Sequence, residues 1–309
     1  MTSLSPETRR LIDEAVASGR FTRIPAGMRA DSAPIPRPKR GRPRKNGETL
    51  SELKARRATK AAGKIADRRR FKVSPVPSGT TRVIVAADTP GTIFSTRIAT
   101  PASGDRVLKD GASSCKIGGD VHKGRLRGAR IYTLTLEERA TCPRSCGLWQ
   151  ACYGNAMPHP TRWQRGPELE RAVAEEVAAL CAPGDPVLIR LHILGDFYSF
   201  DYLRLWVALL DDHPNLNVFG FTAWPPGTHI GDGIARVRAA LGRRFSIRHS
   251  GRTGPWGSFT INFPTERPRL GDAVVCPEQA EAMNGRQGRH CGNCCLCWQS
   301  DLPIVFVEH

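Results

Sequence analysis

Three cysteines lie within eleven positions of the stretch CPRSCGLWQACYGN, at Cys142, Cys146 and Cys152. A structural zinc site takes four protein ligands, whereas a catalytic metal site often takes three and keeps one position open. The spacing therefore leaves three interpretations. The three thiols hold an open iron–sulfur cluster, they form a closed zinc site together with Cys115, or they bind no metal.

A second group of cysteines lies near the end of the chain. Once Cys295 is left out, its spacing is C-x14-C-x2-C-x2-C, formed by Cys276, Cys291, Cys294 and Cys297. Cys-x2-Cys lets two thiolates of one tight turn reach one metal, and distant thiolates complete the set. This pattern predicts a metal site, and thiolate ligands suit zinc and an iron–sulfur cluster alike.

The chain carries no segment that indicates a membrane or a secretory route. Its 309 residues contain no run near the roughly 18 apolar residues that a membrane span requires. The first ten residues, MTSLSPETRR, lack the apolar core of a secretory signal. We therefore expect a cytoplasmic protein whose ten cysteines serve as metal ligands. Disulfides in a secreted protein are the alternative.

Most of the net charge of +17 belongs to the first 72 residues, which hold 20 Lys and Arg against 7 Asp and Glu. The Pro- and Gly-rich composition around residues 32–47 predicts a largely disordered arm. Within it, the residues Arg40, Gly41, Arg42, Pro43 and Arg44 resemble an AT-hook, a motif that inserts arginines into the narrow minor groove of A·T-rich DNA. DNA is the predicted partner, and a solvated basic linker with non-specific phosphate attraction is the alternative.

Beyond the arm, apolar periodicity predicts alternating strands and helices. The strands fall at 131–136, 186–197, 216–224 and 243–251, and the helices at 166–181, 201–212 and 231–242. Such alternation indicates an α/β fold with a parallel sheet, either open or curled into a (β/α) partial barrel. We assign this domain to residues 73–275 and the cysteine-rich metal-binding segment to 276–309. Two short strands of a hairpin or small sheet are predicted between residues 80 and 101.

Polar residues recur on one face of two predicted strands. Arg190, His192 and Asp196 alternate with apolar residues on the second strand, and Arg248 does so on the last strand. A sheet covered by helices on both sides is expected to be apolar on both faces. The pattern therefore favours a cavity lined by these side chains, although each of them alone could be a buried polar residue with a satisfied partner.

The order of these features resembles that of the radical S-adenosylmethionine (SAM) enzymes, in which a strand, a three-cysteine loop and a (βα) partial barrel follow one another. The resemblance implies a 4Fe–4S cluster on Cys142, Cys146 and Cys152 with SAM on its free iron. It further implies that Gly195 and Asp196 contact the cofactor. The polar strand faces add Arg190 to the predicted cofactor contacts, and we expect Asp196, His192 and Arg248 in the same cavity to serve catalysis. The family's usual spacing is Cys-x3-Cys-x2-Cys, and the second gap is five residues here.

Residues 113–309 also resemble an uncharacterised family of phages and mobile elements, of the mycobacteriophage gene-product type. The runs SSCKIGGDVHKG, RLHILGDFYS and CGNCCLCW carry this resemblance, which supplies no reaction. The first hypothesis is thus an iron–sulfur enzyme that acts on or near nucleic acid, with zinc or a second cluster on the C-terminal cysteines. The alternative is a non-catalytic, DNA-associated protein in which both cysteine groups are structural zinc sites.

Overall fold

The computed structural model describes residues 83–261, 272–283 and 288–307. The chain divides into two units, Met1–Lys72 and Val73–His309, and every described residue belongs to the second unit. The basic arm with its Arg40–Arg44 motif lies outside the described residues. The cysteine-rich segment, by contrast, belongs to the same unit as the sheet.

The described residues form ten strands in two sheets. The strands are β1 Ile98–Ala99, β2 Lys109–Asp110, β3 Arg130–Thr133, β4 Arg162–Trp163, β5 Val187–Leu191, β6 Leu216–Thr222, β7 Phe245–Ser250, β8 Gly257–Ile261, β9 Val274–Val275 and β10 Ile304–Val307. Strands β1 and β4 pair in parallel as a small separate sheet. The main sheet has the order β2-β3-β5-β6-β7-β8-β10-β9, and only the pairing of β2 with β3 is antiparallel.

Three long helices follow β4, β5 and β6: α1 Pro167–Cys181, α2 Phe200–Asp212 and α3 His229–Leu241. Local sequence explains where these helices begin, because α1 has proline in its first turn and the hydroxyls of Ser199 and Thr228 cap the N-termini of α2 and α3. Three short helices belong to the cysteine-rich segment: α4 Pro277–Met283, α5 Cys291–Cys294 and α6 Leu296–Gln299. Single 3-10 turns occur at Ser95–Arg97, Gly111–Ser113, Tyr153–Ala156 and Gly242–Arg244.

The two faces of the main sheet are covered by different parts of the chain. Residues such as Ile189, Val218 and Ile247 pack in one core with apolar residues of α1, α2 and α3. On the other face, Phe219 packs against Trp298 of α6, with 4.7 Å between the ring centroids. Leu188 joins this second core, together with residues of the loop 117–129. The C-terminal segment therefore covers the face that the sequence predicted to be polar.

The predicted α/β class with a mostly parallel sheet is confirmed, and the three long helices lie within two residues of their predicted bounds. The strand predicted for 186–197 ends earlier, at Leu191. Of the two short strands predicted between residues 80 and 101 as a hairpin or small sheet, the described residues contain one, Ile98–Ala99, which pairs with β4 in a small sheet. The backbone at Val83 and Val85 bonds to Asn155 and Gln150 instead of forming the other strand. In the described part of the chain, no helix has the length and apolar character needed to cross a membrane.

Candidate functional site

The three-cysteine loop begins beyond the carboxyl end of β3 and is held next to the segment that follows β5. Beyond the two strands, the amide of Leu136 donates to the carbonyl of Leu194 at 3.0 Å. The amide of Asp196 donates to Oγ1 of Thr141, the residue before Cys142, at 3.2 Å. The polar residue predicted for cofactor contact and the first cysteine of the loop are thus brought together at one edge of the sheet.

Gly195 is required where these two segments meet. Its backbone has a φ of +82°, in the region that favours glycine. A Cβ atom placed on it would lie 2.5 Å from Oγ1 of Thr141 and 2.6 Å from Cβ of Leu136. The predicted Gly195–Asp196 pair therefore has a steric function, because glycine permits the close approach of the loop that carries Cys142.

Asp196 is buried and its carboxylate is held by three hydrogen bonds. Oδ1 accepts from the amide of Phe197 and from Oγ1 of Thr222, both at 2.8 Å, and Oδ2 accepts from the amide of Ala223 at 2.6 Å. Burial raises the pKa of Asp196 to about 7, against the effect of these hydrogen bonds. A carboxylate offers about four acceptor positions, so one remains for a donor outside this set.

The three thiols of the loop are half-buried and interact electrostatically. Burial raises the pKa of Cys142 well above its ordinary value, and the charges of Asp196, Cys146 and Cys152 raise it further. Burial and then Asp196 likewise raise the pKa of Cys146. A metal ligand must be a thiolate, and a bound metal cation would offset both the burial and the smaller charge repulsion that raise the pKa of these thiols.

Two buried charged residues, which the sequence did not predict, hold the three-cysteine loop in place. Nε of Arg162 donates to Oε2 of Glu138 at 2.8 Å, and both side chains are fully buried. The same guanidinium donates to the carbonyls of Gly154 and Met157, just after Cys152. We call Glu138 and Arg162 the buried clamp.

Arg139 adds a second set of contacts on the other side of Glu138. Its Nη1 donates to Oδ1 of Asn155 at 2.8 Å, and its Nε donates to the carbonyl of Gly91 at 2.6 Å. Its positive charge lowers the pKa of Cys152, although burial, the largest effect, raises it. The loop is therefore held by fixed cations as well as by backbone turns.

The second group brings together the four cysteines that its spacing predicted. Their side chains line a single pocket, together with His290, Glu278 and several apolar residues, and the four are Cys276, Cys291, Cys294 and Cys297. Burial raises the pKa of Cys276 to about 12 and that of Cys291 to about 11. The segment is tied to the sheet, since the amide of Cys276 donates to the carbonyl of Val305 in β10 at 2.8 Å.

Cys295 is directed away from that pocket. It lies between α5 and α6 with a φ of +61°, and its thiol donates to the carbonyl of Gly292 at 3.1 Å. Its side chain is fully buried in the core that contains Trp298 and Phe219. The positive φ at Cys295 reverses the direction of the chain at this residue. Cys294 therefore faces the pocket, while Cys295 faces the apolar core.

Arg248 and His192 do not line an open cavity. Arg248 is fully buried and donates to the carbonyls of Cys297 at 3.1 Å, Leu302 at 2.8 Å and Ser300. It therefore holds the C-terminal segment against the sheet. His192 lies beyond the end of β5, where strand alternation no longer applies, and its Nε2 is 3.2 Å from the hydroxyl of Tyr202 in α2. Its ring packs in the helix-side core.

Arg190 remains on the face opposite the helices. Its guanidinium lies 5.9 Å from the ring centroid of Phe221, and its Nε is buried without a hydrogen-bond partner among the described residues. Its charge acts on Cys291 of the second group and on Tyr153, which follows Cys152. Of the predicted polar residues, Arg190 is the one whose charge reaches both cysteine regions.

Cys115 is exposed, and the residues after it are bonded to the second cysteine group. The carbonyl of Lys116 accepts from the amide of Cys291 at 2.9 Å, and the carbonyl of Ile117 accepts from Gly292 at 3.0 Å. This anchoring gives no support to a closed zinc site made of Cys115 and the three-cysteine loop.

The donor chemistry of both groups fits thiolate-bound metal. Within the described residues, no three His, Cys, Asp or Glu side chains converge as the ligands of one ion. A four-iron cluster does not need such convergence, because each cysteine binds a different iron atom. The residues that would hold it are Cys142, Cys146 and Cys152, with Cys276, Cys291, Cys294 and Cys297 for a second metal centre.

Comparisons of the chain with models of protein families, with curated proteins and with solved structures found no match. The function must accordingly be argued from the residues of the site.

Proposed function

We propose that this chain is an iron–sulfur protein of the radical SAM type, with its catalytic cluster on Cys142, Cys146 and Cys152. One observation carries the proposal: three interacting thiols and a buried carboxylate, Asp196, meet where parallel strands end. Ligand and cofactor sites of parallel α/β folds lie at this edge. When bound, such a cluster supplies the electron that cleaves the sulfonium of SAM to give a carbon radical.

Each neighbouring residue of the chain has a defined part in this proposal. Asp196 offers one free acceptor position for an ammonium group of the cofactor, and Gly195 lets it approach the cluster loop. Arg190 adds a positive charge that acts on Tyr153, the residue after Cys152. The buried clamp and Arg139 keep the cysteines in place, while His192 and Arg248 act through packing and hydrogen bonds and do not contact reacting atoms.

The arrangement of the sheet is consistent with this site. Strands β3, β5, β6, β7 and β8 follow one another in chain order, and α1, α2 and α3 pack on one face. Sequential parallel strands with helices on a single side are the arrangement of an open (β/α) partial barrel, which we propose for residues 73–275. All ten cysteines are free, as expected for a cytoplasmic protein.

The proposed partner is DNA, bound through the basic arm and its Arg40–Arg44 motif. The charge of the arm and the resemblance to phage and mobile-element proteins support it.

We propose for the second cysteine group a structural metal, zinc or a second cluster, because Cys276 lies between β9 and α4 and is bonded to β10. If both groups were structural zinc sites, the protein would be a non-catalytic DNA-associated protein.

Metal analysis of protein purified without oxygen tests the proposal. We expect brown protein with iron and acid-labile sulfide, and a loss of about four irons per chain in Cys146→Ala with the fold retained. Cys115→Ala is the matched control and should keep all of its iron. Colourless wild-type protein with about two zincs per chain would instead establish the structural interpretation.

A further inference from the structure

Basic residues of two separate segments meet at the amino edge of the main sheet. Nη2 of Arg125 donates to Oδ1 of Asn217 at 3.0 Å and to the carbonyl of Arg243 at 3.2 Å. Arg243 in turn donates to the carbonyl of Gln299 in α6. Nε2 of Gln299 donates back to the carbonyl of Lys123 at 3.1 Å, so the two segments are fixed to each other.

We define the cationic patch as Lys123, Arg125, Arg127 and Arg243. In the described part of the chain, none of the four forms an ion pair with Asp or Glu. Partial burial and the charge of Arg243 lower the pKa of Arg125, which shows that like charges crowd here. Neutral carbonyl and amide oxygens orient the guanidinium groups of Arg125 and Arg243, and no carboxylate of the described residues pairs with them.

The cationic patch is separate from the proposed catalytic site. Asn217 lies near the start of β6, whereas Thr222, which bonds to Asp196, is the last residue of that strand. Five residues of strand correspond to about 16 Å. A ligand of the cationic patch would therefore bind at the opposite edge of the sheet from the three cysteines.

We propose that the cationic patch binds the phosphate backbone of nucleic acid, as a contact of the second unit that is independent of the basic arm and that rests on the proposed DNA partner. A nucleic acid carries closely spaced phosphates, so one strand can neutralise several cations at once. Guanidinium groups that are already oriented lose less rotational freedom when they bind phosphate oxygens. The basic arm on the same chain favours nucleic acid over an anionic lipid surface as the occupant.

The test measures how DNA affinity depends on salt in the full chain. Each phosphate contact contributes about 0.9 to the slope of log K against log salt concentration. We expect the triple variant Lys123→Gln/Arg125→Gln/Arg127→Gln to reduce that slope by about 2.7. The matched control removes three exposed arginines of other elements, in the variant Arg97→Gln/Arg165→Gln/Arg236→Gln, and should leave the slope unchanged.

A second variant keeps the proposal testable if the triple variant does not fold. Lys123→Gln/Arg127→Gln keeps the Arg125–Asn217 hydrogen bond and should reduce the slope by about 1.8. Equal slopes in patch and control variants would overturn the proposal. Loss of binding to phosphatidylglycerol vesicles with an unchanged DNA slope would overturn it in favour of a lipid surface. Neither outcome depends on the iron content, so the proposed catalytic cluster is tested separately.

Discussion

At the scale of single residues, Cys294 and Cys295 are chain neighbours with opposite surroundings. Cys294 lines the four-thiol pocket and Cys295 lies in the apolar core. Because the binding energy of a structural metal is also folding energy, Cys294→Ser should lose the C-terminal metal and make residues 276–309 sensitive to protease. Cys295→Ser should keep the metal, since a serine hydroxyl can still donate to Gly292. Metal analysis and limited proteolysis measure both, and equal metal loss would show that the four ligands are wrongly chosen.

His192 provides a test based on pH. Burial lowers the pKa of His192 to about 3, whereas a histidine in the unfolded chain titrates near 6.5. Between these values the unfolded chain binds a proton that the folded chain does not, so the free energy of unfolding falls as pH drops. The contribution of one such residue is about 1.4 kcal/mol per pH unit.

We therefore expect His192→Gln to have a flatter pH dependence of stability than the wild type below about pH 6.5. Urea unfolding at several pH values measures the slope, and the exposed His159→Gln is the control. The His192→Gln variant should keep part of the wild-type slope, because burial also lowers the pKa of His213 and His249. An unchanged slope in His192→Gln would mean that His192 is protonated in the folded chain.

Cysteine spacing predicted which thiols of the second group lie together better than strand alternation predicted the direction of the polar side chains. Cysteine spacing is local, and the four thiols chosen for the second group do share a pocket. The shared face assigned to Arg190 and His192 assumed a strand through residue 197, but β5 ends at Leu191. Period-2 alternation is informative only while the strand continues.

At the scale of elements, the buried clamp connects the three-cysteine loop to β4. Removing one partner of a buried ion pair leaves the other charge uncompensated and costs about 3–5 kcal/mol. Arg162→Met should destabilise the fold by somewhat less than that amount, because Arg139 remains 3.8 Å from Glu138 as a second buried cation. It should also release iron faster, because Arg162 bonds to carbonyls just after Cys152. Denaturant unfolding and the rate of iron loss to a chelator measure the two effects.

The control for the buried clamp is an exposed pair. Arg171 and Glu175 of α1 are 4.0 Å apart on the surface, and Arg171→Met should cost less than about 1 kcal/mol. If Arg162→Met were as mild as Arg171→Met, the buried clamp would not hold the loop.

The buried clamp could not be predicted from the sequence, for a physical reason. Glu138 and Arg162 are 24 residues apart, and each looks like an ordinary surface charge in its local sequence. The long helices were predictable because their apolar stripes and capping residues are local. The covering of the polar sheet face by the C-terminal segment depends on contacts such as Phe219 with Trp298, which no local pattern encodes.

At the scale of the whole molecule, charge is distributed unevenly between two units. The arm of residues 1–72 has 20 basic and 7 acidic residues, and the remaining 237 residues have 26 and 22. The cationic patch belongs to the second unit and supplies only a few phosphate contacts. We therefore expect the arm to provide most of the affinity for DNA and the patch to add a smaller, fixed contact.

Removing residues 1–72 should accordingly weaken DNA binding by orders of magnitude and leave the metal content unchanged, because all ten cysteines lie beyond residue 72. Within the full chain, Arg42→Lys/Arg44→Lys should abolish a preference for A·T-rich DNA yet keep much of the non-specific binding. Lysine retains the charge, but its strongly hydrated ammonium fits a narrow minor groove less well than a planar guanidinium. Titrations of A·T-rich and G·C-rich duplexes measure the preference. A truncated chain that binds as tightly as the full chain would show that the main DNA site lies in the second unit, residues 73–309.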